Sequence, residues 1–396
     1  MRILLATAGS RGDVEPFVAL GERARAEGHD VHLLAPEHSG VDTPDLDVES
    51  IGVDITRLIE TQGVAISEVL RNYRSVVRPV MHTILVGSAR AALDYQPDVI
   101  VYHPKVLSAP VVADALGIPH VVVEIVPALT PTNAFPAAGT VAHSVGPFNR
   151  LTYQATRAAS TMFRSDLAEV RAMVGAPHRA PSHPEATLVP ISPAILSRPV
   201  DWPESVHLTG PWVRAHHPVP LDPAVEKFVA GGPFIYAGFG SMAKGDDAAR
   251  GRTIVDAARV HGTRLLVATG LGGISVPSDR RGLDVLVVRS VPHAAVFPHA
   301  TTAVHHGGIG TVHAAMRAAT PSVVVPFLAD QPFWAARLHE AGLTPESIPQ
   351  HSLTISALVS ALDHAERCRT RVAEVAERMA GEDGTGAALA ILTSLR

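Results

Sequence analysis

Short apolar runs alternate with amphipathic segments along most of the chain, and glycine or proline residues separate them. The runs suit buried strands, and the longer patterns between them suit helices. The apolar runs cover residues 2–7, 31–35, 98–102, 119–126, 186–189, 233–237, 264–267, 284–289, 301–304 and 322–327. Alternation of strand and helix is typical of parallel sheets with helices on both faces. The pattern therefore predicts an α/β protein.

The helical patterns add two details to this picture. Pro16 suits the first turn of the first helix, and Pro79 is expected to break the second. Helices are predicted at residues 16–27, 55–95, 109–116, 148–174, 247–261, 312–319, 355–379 and 385–395. The apolar helical segment at 55–95 could serve either a core or a ligand groove.

Two stretches of the chain open in the same way. MRILLATAGS, at residues 1–10, and GPFIYAGFGS, at residues 232–241, each join an apolar strand to a glycine turn. This similarity predicts two Rossmann-like domains that face each other. Proline-rich sequence precedes the second opening, so we place the linker near residues 212–220.

A glycine turn stands at the centre of the second half. Gly307, Gly308 and Gly310 form a turn between a strand and a predicted helix, and Thr311 adds a hydroxyl near the helix start. Glycines let a ligand approach the main chain, and the first N–H groups of a helix bind anions. His306, beside the turn, can donate a hydrogen bond to a phosphate. The turn therefore predicts a diphosphate site, although it could also be a tight turn whose histidines pack or bind a metal.

Polar residues follow the next strand along the chain. Asp330 and Gln331 carry acceptors and a donor suited to sugar hydroxyl groups. A phosphate site at one strand end and a polyol site at its neighbour together predict a sugar nucleotide as the ligand.

The first glycine turn carries Ser10, Gly12 and Asp13. Residues that follow the first strand of a doubly wound sheet line the ligand crevice. Asp13 could cap a helix that begins near Glu15, since aspartate is a good N-cap. It would also be ionised at neutral pH and could accept a proton.

The turn after the strand at 233–237 fits the dinucleotide pattern G-x-G-x-x-A. A dehydrogenase would need an acidic residue at the end of the following strand, to bind the ribose hydroxyl. That strand ends in Ala268-Thr269-Gly270, which contains none. We therefore interpret Ser241 as a hydrogen-bond donor to a phosphate.

Composition narrows the function classes. The chain has 396 residues, 46% of them hydrophobic, and a formal charge of −5, which argues against nucleic-acid binding. The one cysteine, Cys368, cannot form an internal disulfide or a cysteine metal cluster. No apolar run is long enough to span a membrane, and the first eight residues suit a strand, not a signal peptide. We expect a cytoplasmic protein, monomeric or homodimeric.

Three separated motifs resemble one family. The segments at 8–16, 238–242 and 291–342 are similar to family-one glycosyltransferases of the GT-B fold, in particular the sterol glucosyltransferase and glycopeptide-antibiotic (vancomycin-group) branches. The order of elements agrees over nearly the whole chain. The resemblance implies an acceptor-binding domain at 1–215, a nucleotide-sugar-binding domain at 216–380, and a final helix at 381–396 that crosses back to the first domain.

The resemblance also implies roles for single residues. Asp13 matches the general base, which would take a proton from an acceptor hydroxyl as that oxygen attacks the sugar with inversion. Ser10 and Gly12 would line the donor crevice, and Val291 would offer main-chain contacts to the nucleotide base. The diphosphate would be held by Ser241, His306, Gly307, Gly308, Gly310 and Thr311, and the sugar hydroxyls by Asp330 and Gln331.

Two departures from the family leave the donor base open. Ser290 stands where plant relatives carry a tryptophan that stacks on the base, and Ala314 stands where they carry a glutamate that binds ribose. The expected donor is therefore a UDP- or dTDP-linked hexose, and the expected acceptor is a hydrophobic aglycone of the polyketide, macrolide, glycopeptide or sterol kind. The donor motifs contain no Asp-x-Asp sequence, so we expect no metal and no cofactor.

Two other classes remain compatible with the sequence. A sugar-nucleotide epimerase could use the same fold and would need no acceptor. A non-catalytic sugar-nucleotide-binding protein is the second alternative, although Asp13 and Asp330 argue against it.

Overall fold

A computed structural model describes residues 1–54, 73–176, 181–215, 220–240 and 245–395. The first of its two sheets has seven parallel strands in the order β3-β2-β1-β4-β5-β6-β7. These are β1 (Arg2–Ala6), β2 (Asp30–Ala35), β3 (Asp47–Ser50), β4 (Val99–Tyr102), β5 (His120–Val123), β6 (Ala186–Val189) and β7 (Val206–Leu208).

The second sheet has five parallel strands in the order β10-β9-β8-β11-β12. They are β8 (Phe234–Gly238), β9 (Arg264–Ala268), β10 (Val285–Val288), β11 (Ala300–His305) and β12 (Ser322–Val324). Two parallel sheets covered by helices confirm the predicted α/β class with two Rossmann-like domains.

Helices cover the faces of both sheets. Their order is α1 (Arg11–Ala26), α2 (Arg78–Tyr95), α3 (Ala109–Leu116), α4 (Asn149–Ser160), α5 (Arg164–Val174), α6 (Pro223–Ala230), α7 (Asp247–Val260), α8 (His293–Val296), α9 (Ile309–Arg317), α10 (Gln331–Glu340), α11 (Ile355–Arg367), α12 (Arg369–Ala380) and α13 (Gly384–Ser394).

The central strands form because nearly every side chain in them is apolar and buried. Ile3, Leu4 and Leu5 of β1 are at most 1% exposed, so both faces of that strand are covered. Burial on both faces is what distinguishes parallel sheets from the alternating pattern of antiparallel ones. By contrast, all four residues of β3 are exposed. This edge strand was not predicted, because it has no apolar run.

Two prolines act differently from the prediction. Helix α1 begins at Arg11, so Pro16 lies inside it and not in its first turn. A proline there removes only one hydrogen bond, the bond to the carbonyl four residues earlier. Pro79 lies at the start of α2 and does not break it. Residues 55–72 of the predicted helical segment lie outside the described residues.

Two long predicted helices are each divided in two. A 3₁₀ turn at Thr161–Phe163 separates α4 from α5. Cys368 ends α11 and precedes α12, so it lies at a junction between helices. The predicted strand at 322–327 ends at Val324, shortly before Pro326. Element boundaries of this kind depend on local hydrogen bonding, which hydrophobic periodicity does not report.

The two halves of the molecule pack against each other. One hydrophobic cluster includes Leu20 of α1 and Met316 of α9, which belong to different halves. The final helix, α13, contacts α1, and Arg23 forms an ion pair of 3.0 Å with Asp383 just before α13. No helix among the described residues combines the length and apolar character needed to cross a bilayer.

Candidate active site

Asp13 is held against the start of α1 by its own helix. The main-chain N–H of Ser10 donates to Asp13 Oδ2 over 2.7 Å. Asp13 is therefore the third helical residue and folds back onto the N-cap, as the acidic residue of a capping box does. This corrects the expectation that Asp13 would itself be the N-cap of a helix starting near Glu15. Its side chain stays 23% exposed.

Gly9 makes this conformation possible. Its φ is +152°, and a Cβ added to it would lie 1.9 Å from Asp13 Oδ2. No larger residue could occupy the position without moving the carboxylate. The glycine after β1 thus serves Asp13 directly.

His103 and Lys105 approach Asp13 from the loop after β4. His103 Nε2 lies 3.1 Å from Asp13 Oδ1, and Lys105 Nζ lies 3.4 Å from Oδ2. Burial alone would raise the pKa of the Asp13 carboxyl, but the Lys105 charge and the hydrogen bonds from His103 and Ser10 hold that pKa well below its usual value. Asp13 is therefore a carboxylate at any physiological pH.

The glycine turn after β11 has the geometry of an anion site. Gly308 is the N-cap of α9, and Gly307 has a φ of +90°. Gly310 lies in the first helical turn, is exposed, and has no heavy atom within 4 Å of where a Cβ would stand. Thr311 follows it in the same turn. The turn is therefore open to a ligand at the helix N-terminus.

His306 lies between this turn and the one after β8. Its ring is within 3.6 Å of the Cβ position of Gly240 and 2.5 Å of that of Gly308. Its Nδ1 is buried and has no hydrogen-bond partner among the described residues. Burial lowers the pKa of His306 to about 4, so the ring is neutral and one of its nitrogens can donate. Ser241, next to Gly240, lies outside the described residues.

His305 has a different environment from His306. It is completely buried, and its Nδ1 accepts a hydrogen bond of 3.1 Å from the Gly307 N–H. Burial lowers its pKa to about 3. His305 therefore shapes the turn from within the core, whereas His306 lies half-buried beside it.

Asp330 reaches the cleft from the second half. Trp334 Nε1 donates to its Oδ2 over 2.9 Å. Burial, with a smaller contribution from the charge of Asp13, raises the pKa of Asp330 to about 6 against the opposing effects of the Trp334 hydrogen bond and the Lys105 charge. The Lys105 charge also acts on Asp13, so Asp330 belongs to the side of the second half that faces the end of β1.

Gln331 is turned into the protein. It is 4% exposed, and its Oε1 accepts hydrogen bonds from the main-chain N–H groups of Phe327 (2.7 Å) and Leu328 (3.2 Å). Its carbonyl oxygen thus supports the loop before α10. Direct contact of Gln331 with a sugar stays a prediction.

The two remaining predicted donor residues lie in accessible places. Gly12 is exposed on the first turn of α1, and only Ser10 Oγ lies within 4 Å of its Cβ position. Val291 is half-buried between β10 and α8, where it packs against the core below that loop. Their ligand contacts stay predictions.

The long loop at 127–147 is ordered by the buried carboxylate of Glu124. Glu124 accepts hydrogen bonds from the main-chain N–H groups of Leu129 and Thr130 and from the Thr130 hydroxyl (2.7 Å). Phe135 of the loop packs edge-on against Phe333 of α10, with ring centroids 5.6 Å apart. The loop therefore reaches the second half beside Asp330.

The chain contains one Asp-x-Asp sequence, Asp45-Leu46-Asp47, outside the donor motifs. Asp47 begins β3 and pairs with His32 over 2.7 Å. Both residues lie at the amino-terminal part of their strands, whereas the site forms at the carboxyl ends. Within the described residues, no group of three or more His, Cys, Asp or Glu side chains is arranged to hold a metal ion.

Two facing parallel-sheet domains with polar residues at their strand ends define the GT-B class of glycosyltransferases. Solved structures of glycosyltransferases have the same fold. The glycosyltransferase of kitacinnamycin matches with a TM-score of 0.75 at 19% identity, over 100% of this chain and 98% of that one. Glycosyltransferase VinC in complex with dTDP matches with a TM-score of 0.64 at 19% identity, over 100% and 99%.

The sequence comparisons identify the family. Residues 3–130 match the glycosyltransferase family 28 N-terminal domain, and residues 275–386 match the erythromycin biosynthesis protein CIII-like C-terminal domain. The O-mycaminosyltylonolide 6-deoxyallosyltransferase of Streptomyces fradiae is 33% identical over 97% of this chain and 95% of its own length. The vancomycin aglycone glucosyltransferase of Amycolatopsis orientalis is 30% identical over 91% and 90%.

A sterol 3-beta-glucosyltransferase of Arabidopsis thaliana is 27% identical over 98% of this chain and 67% of its own length. The chain therefore belongs to the glycosyltransferases of antibiotic and natural-product type, which have sterol glucosyltransferase relatives. The resemblance identified from the three motifs is confirmed.

Sequence reasoning missed three residues of the site. His103, Lys105 and Gly9 receive no role from the sequence, because their local patterns suit loop, packing or turn residues as well as a cleft. The signal that could have found His103 and Lys105 is topological: these two polar residues directly follow a buried strand. Once β4 is known to pair with β1, its end must lie beside Asp13.

Proposed function

We propose that the protein transfers a hexose from a UDP- or dTDP-linked sugar to a hydroxyl group of a hydrophobic natural-product aglycone, with inversion at the anomeric carbon. Asp13 accepts the hydroxyl proton while that oxygen forms the new bond to the anomeric carbon. The bond from that carbon to the diphosphate breaks, and the nucleoside diphosphate leaves with the electron pair. The open glycine turn at the N-terminus of α9, together with the carboxylate of Asp13 held at the start of α1 in the other half, supports this proposal best.

The donor side is supported by three features of the turn after β11. A neutral His306 with an unpartnered buried nitrogen faces the turn, α9 directs its N-terminus there, and Gly310 leaves the main chain open. Fixed donors of this kind stabilise the charge that develops on a leaving diphosphate. The relative VinC was solved with dTDP, which is consistent with a deoxythymidine or uridine nucleotide.

The acceptor side is supported by the loop at 127–147. Phe135, Ala137 and Ala138 are at most 5% exposed, so the loop has an apolar base where it meets Phe333 in the second half. The names of the relatives describe transfer to O-mycaminosyltylonolide, to the vancomycin aglycone and to sterols. A large apolar aglycone is the acceptor that such a loop suits.

The test combines a donor panel with an acceptor panel. UDP- and dTDP-hexoses are incubated with macrolide, glycopeptide and sterol aglycones, and products are identified by mass spectrometry and the anomeric configuration by NMR. Asp13→Asn should keep donor binding and lose about 10²-fold or more in turnover. Glu27→Gln, at the far end of the same helix, is the matched control. Release of an epimer without acceptor would instead identify an epimerase, and donor binding without turnover would identify a binding protein.

A further inference from the structure

His103 has no role in the transfer as proposed above, although its ring makes the shortest side-chain contact with the Asp13 carboxylate. It follows β4, which pairs with β1, and its main-chain N–H donates to the Ala6 carbonyl over 2.8 Å. The side chain is only 9% exposed. His103 and Asp13 are therefore neighbours because each follows the carboxyl end of one of two adjacent strands.

The hydrogen bonds of the ring determine which nitrogen carries the proton. The main-chain N–H of Lys105 donates to His103 Nδ1 over 3.2 Å. A main-chain amide is only a donor, so Nδ1 must be the unprotonated nitrogen. The ring proton then sits on Nε2, which lies 3.1 Å from Asp13 Oδ1 and donates to it.

The same contact excludes His103 as the final proton carrier. A proton added to Nδ1 would place two N–H groups face to face and break the bond from Lys105. Burial and the Lys105 charge both lower the pKa of His103, which opposes a second proton as well. The ring therefore stays neutral, and the proton taken from the acceptor stays on Asp13.

The contacts also distinguish the two oxygens of Asp13. Oδ2 accepts from the Ser10 N–H (2.7 Å), the Ser10 hydroxyl (3.3 Å) and Lys105 (3.4 Å). Oδ1 accepts only from His103 among the contacts of the described residues. Since a carboxylate oxygen has about two lone-pair sites, Oδ1 retains one for an incoming hydroxyl.

We propose that His103 is a positioning residue that holds the Asp13 carboxylate through its Nε2 proton, so that Oδ1 is the oxygen that receives the acceptor proton. The inference rests on the proposed function, in which Asp13 is the base. The roles are reversed relative to a histidine base oriented by a carboxylate, since here the carboxylate reacts and the histidine orients it.

Kinetics test the positioning role. His103→Ala should lower kcat about 10- to 100-fold, because a base displaced by about 1 Å loses that much. His103→Gln keeps an N–H donor and should recover most of the activity, and donor KM should stay within about threefold in both variants. The acid limb of the kcat/KM profile should move to higher pH in His103→Ala only. Lys105 also acts on Asp13, Asp13 acts on Asp330, and both variants retain these groups.

His120→Ala is the matched control, because His120 is fully buried at the amino end of β5, away from the cleft. It should affect the melting temperature without moving the pH profile. Equal kcat in His103→Ala and the unchanged protein would overturn the proposal. So would a His103→Gln variant as impaired as His103→Ala, because the N–H donor would then not be what matters.

A second measurement does not depend on turnover. Long-range ¹H–¹⁵N NMR spectra of the ¹⁵N-histidine-labelled protein report the tautomer, and His103→Gln assigns the signal by removing it. The expected result is a protonated Nε2 and an unprotonated Nδ1 from about pH 6 to 8. A protonated Nδ1 would overturn the proposal. If no donor and acceptor react, the proposed function fails, and the spectra still decide the geometry of the pair.

Discussion

Replacing Gly9 by alanine tests the conformation of Asp13 without removing any group that could take part in the chemistry. The added methyl carbon would lie 1.9 Å from Asp13 Oδ2 and 2.3 Å from Cγ, whereas real Cβ contacts essentially never fall below 3.0 Å. The carboxylate must therefore retreat by about 1 Å. The backbone resists as well, because a φ of +152° is a conformation that residues with a Cβ rarely adopt.

The size of the effect of Gly9→Ala follows from the displacement of the carboxylate and from the strain in the backbone. A misplacement of about 1 Å typically costs about 10²-fold in rate, which corresponds to about 2.7 kcal/mol in the activation barrier. The backbone strain should lower the free energy of unfolding by about 1–3 kcal/mol. We expect Gly9→Ala to remain folded, with a lower melting temperature and a kcat reduced by about 10²-fold.

Gly28→Ala separates strain from displacement. Gly28 also has a positive φ, +85°, but no heavy atom lies within 4 Å of its Cβ position. This control should lose stability and keep its kcat. The assay is kcat at saturating donor and acceptor, together with the melting temperature of each variant. A Gly9→Ala enzyme with full kcat, or a Gly28→Ala enzyme equally impaired, would refute the link between Gly9 and the carboxylate.

Four further predictions concern other parts of the site. His306→Ala should weaken nucleoside diphosphate binding by about 1.5–3 kcal/mol, and unchanged affinity in calorimetry would make it a packing residue. Activity should survive EDTA; loss on chelation that magnesium restores would contradict leaving-group stabilisation by His306 and α9. Exchanging residues 55–95 and 127–147 with those of a relative should change the acceptor and keep the donor; a changed sugar nucleotide would reverse the assignment of the domains. Since the pKa of Asp330 rises to about 6 in the folded state, stability should fall from about pH 4 to 6. Asp330→Asn should abolish that fall, which thermal unfolding of both proteins at pH 4 to 6 would measure. The same dependence of stability on pH in the variant would contradict the prediction.

The fold was largely predictable because buried parallel strands leave a strong local pattern. The run at β1 and the glycine turn after β11 each place a candidate site residue from sequence alone. Edge strand β3 was missed because its four residues are all exposed. The start of α1 was misplaced because the bond from Ser10 to Asp13 decides it, and a proline nearby suggested a later start.

The candidate site was predictable where its residues are neighbours in sequence, and not where they are neighbours only in space. His103 lies 90 positions from Asp13, and nothing in its local pattern reports that β4 pairs with β1. Gln331 has a structural contact that its neighbours in sequence do not report. Its type suits a sugar hydroxyl, but two main-chain N–H groups of the preceding loop occupy its carbonyl oxygen. Only the folded structure of the loop shows these two hydrogen bonds.

The return of α13 to α1 constrains how hybrid enzymes can be assembled from members of this family. The helix that carries Asp13 is attached at its far end, through Arg23 and Asp383, to the last segment of the chain. Ser192, in the first half, also donates to Glu382 over 2.7 Å. A hybrid with one joint near residue 215 would pair α1 of one parent with α13 of the other. Two fusion points are therefore needed, the second just before Glu382, so that α13 and the first half come from the same parent.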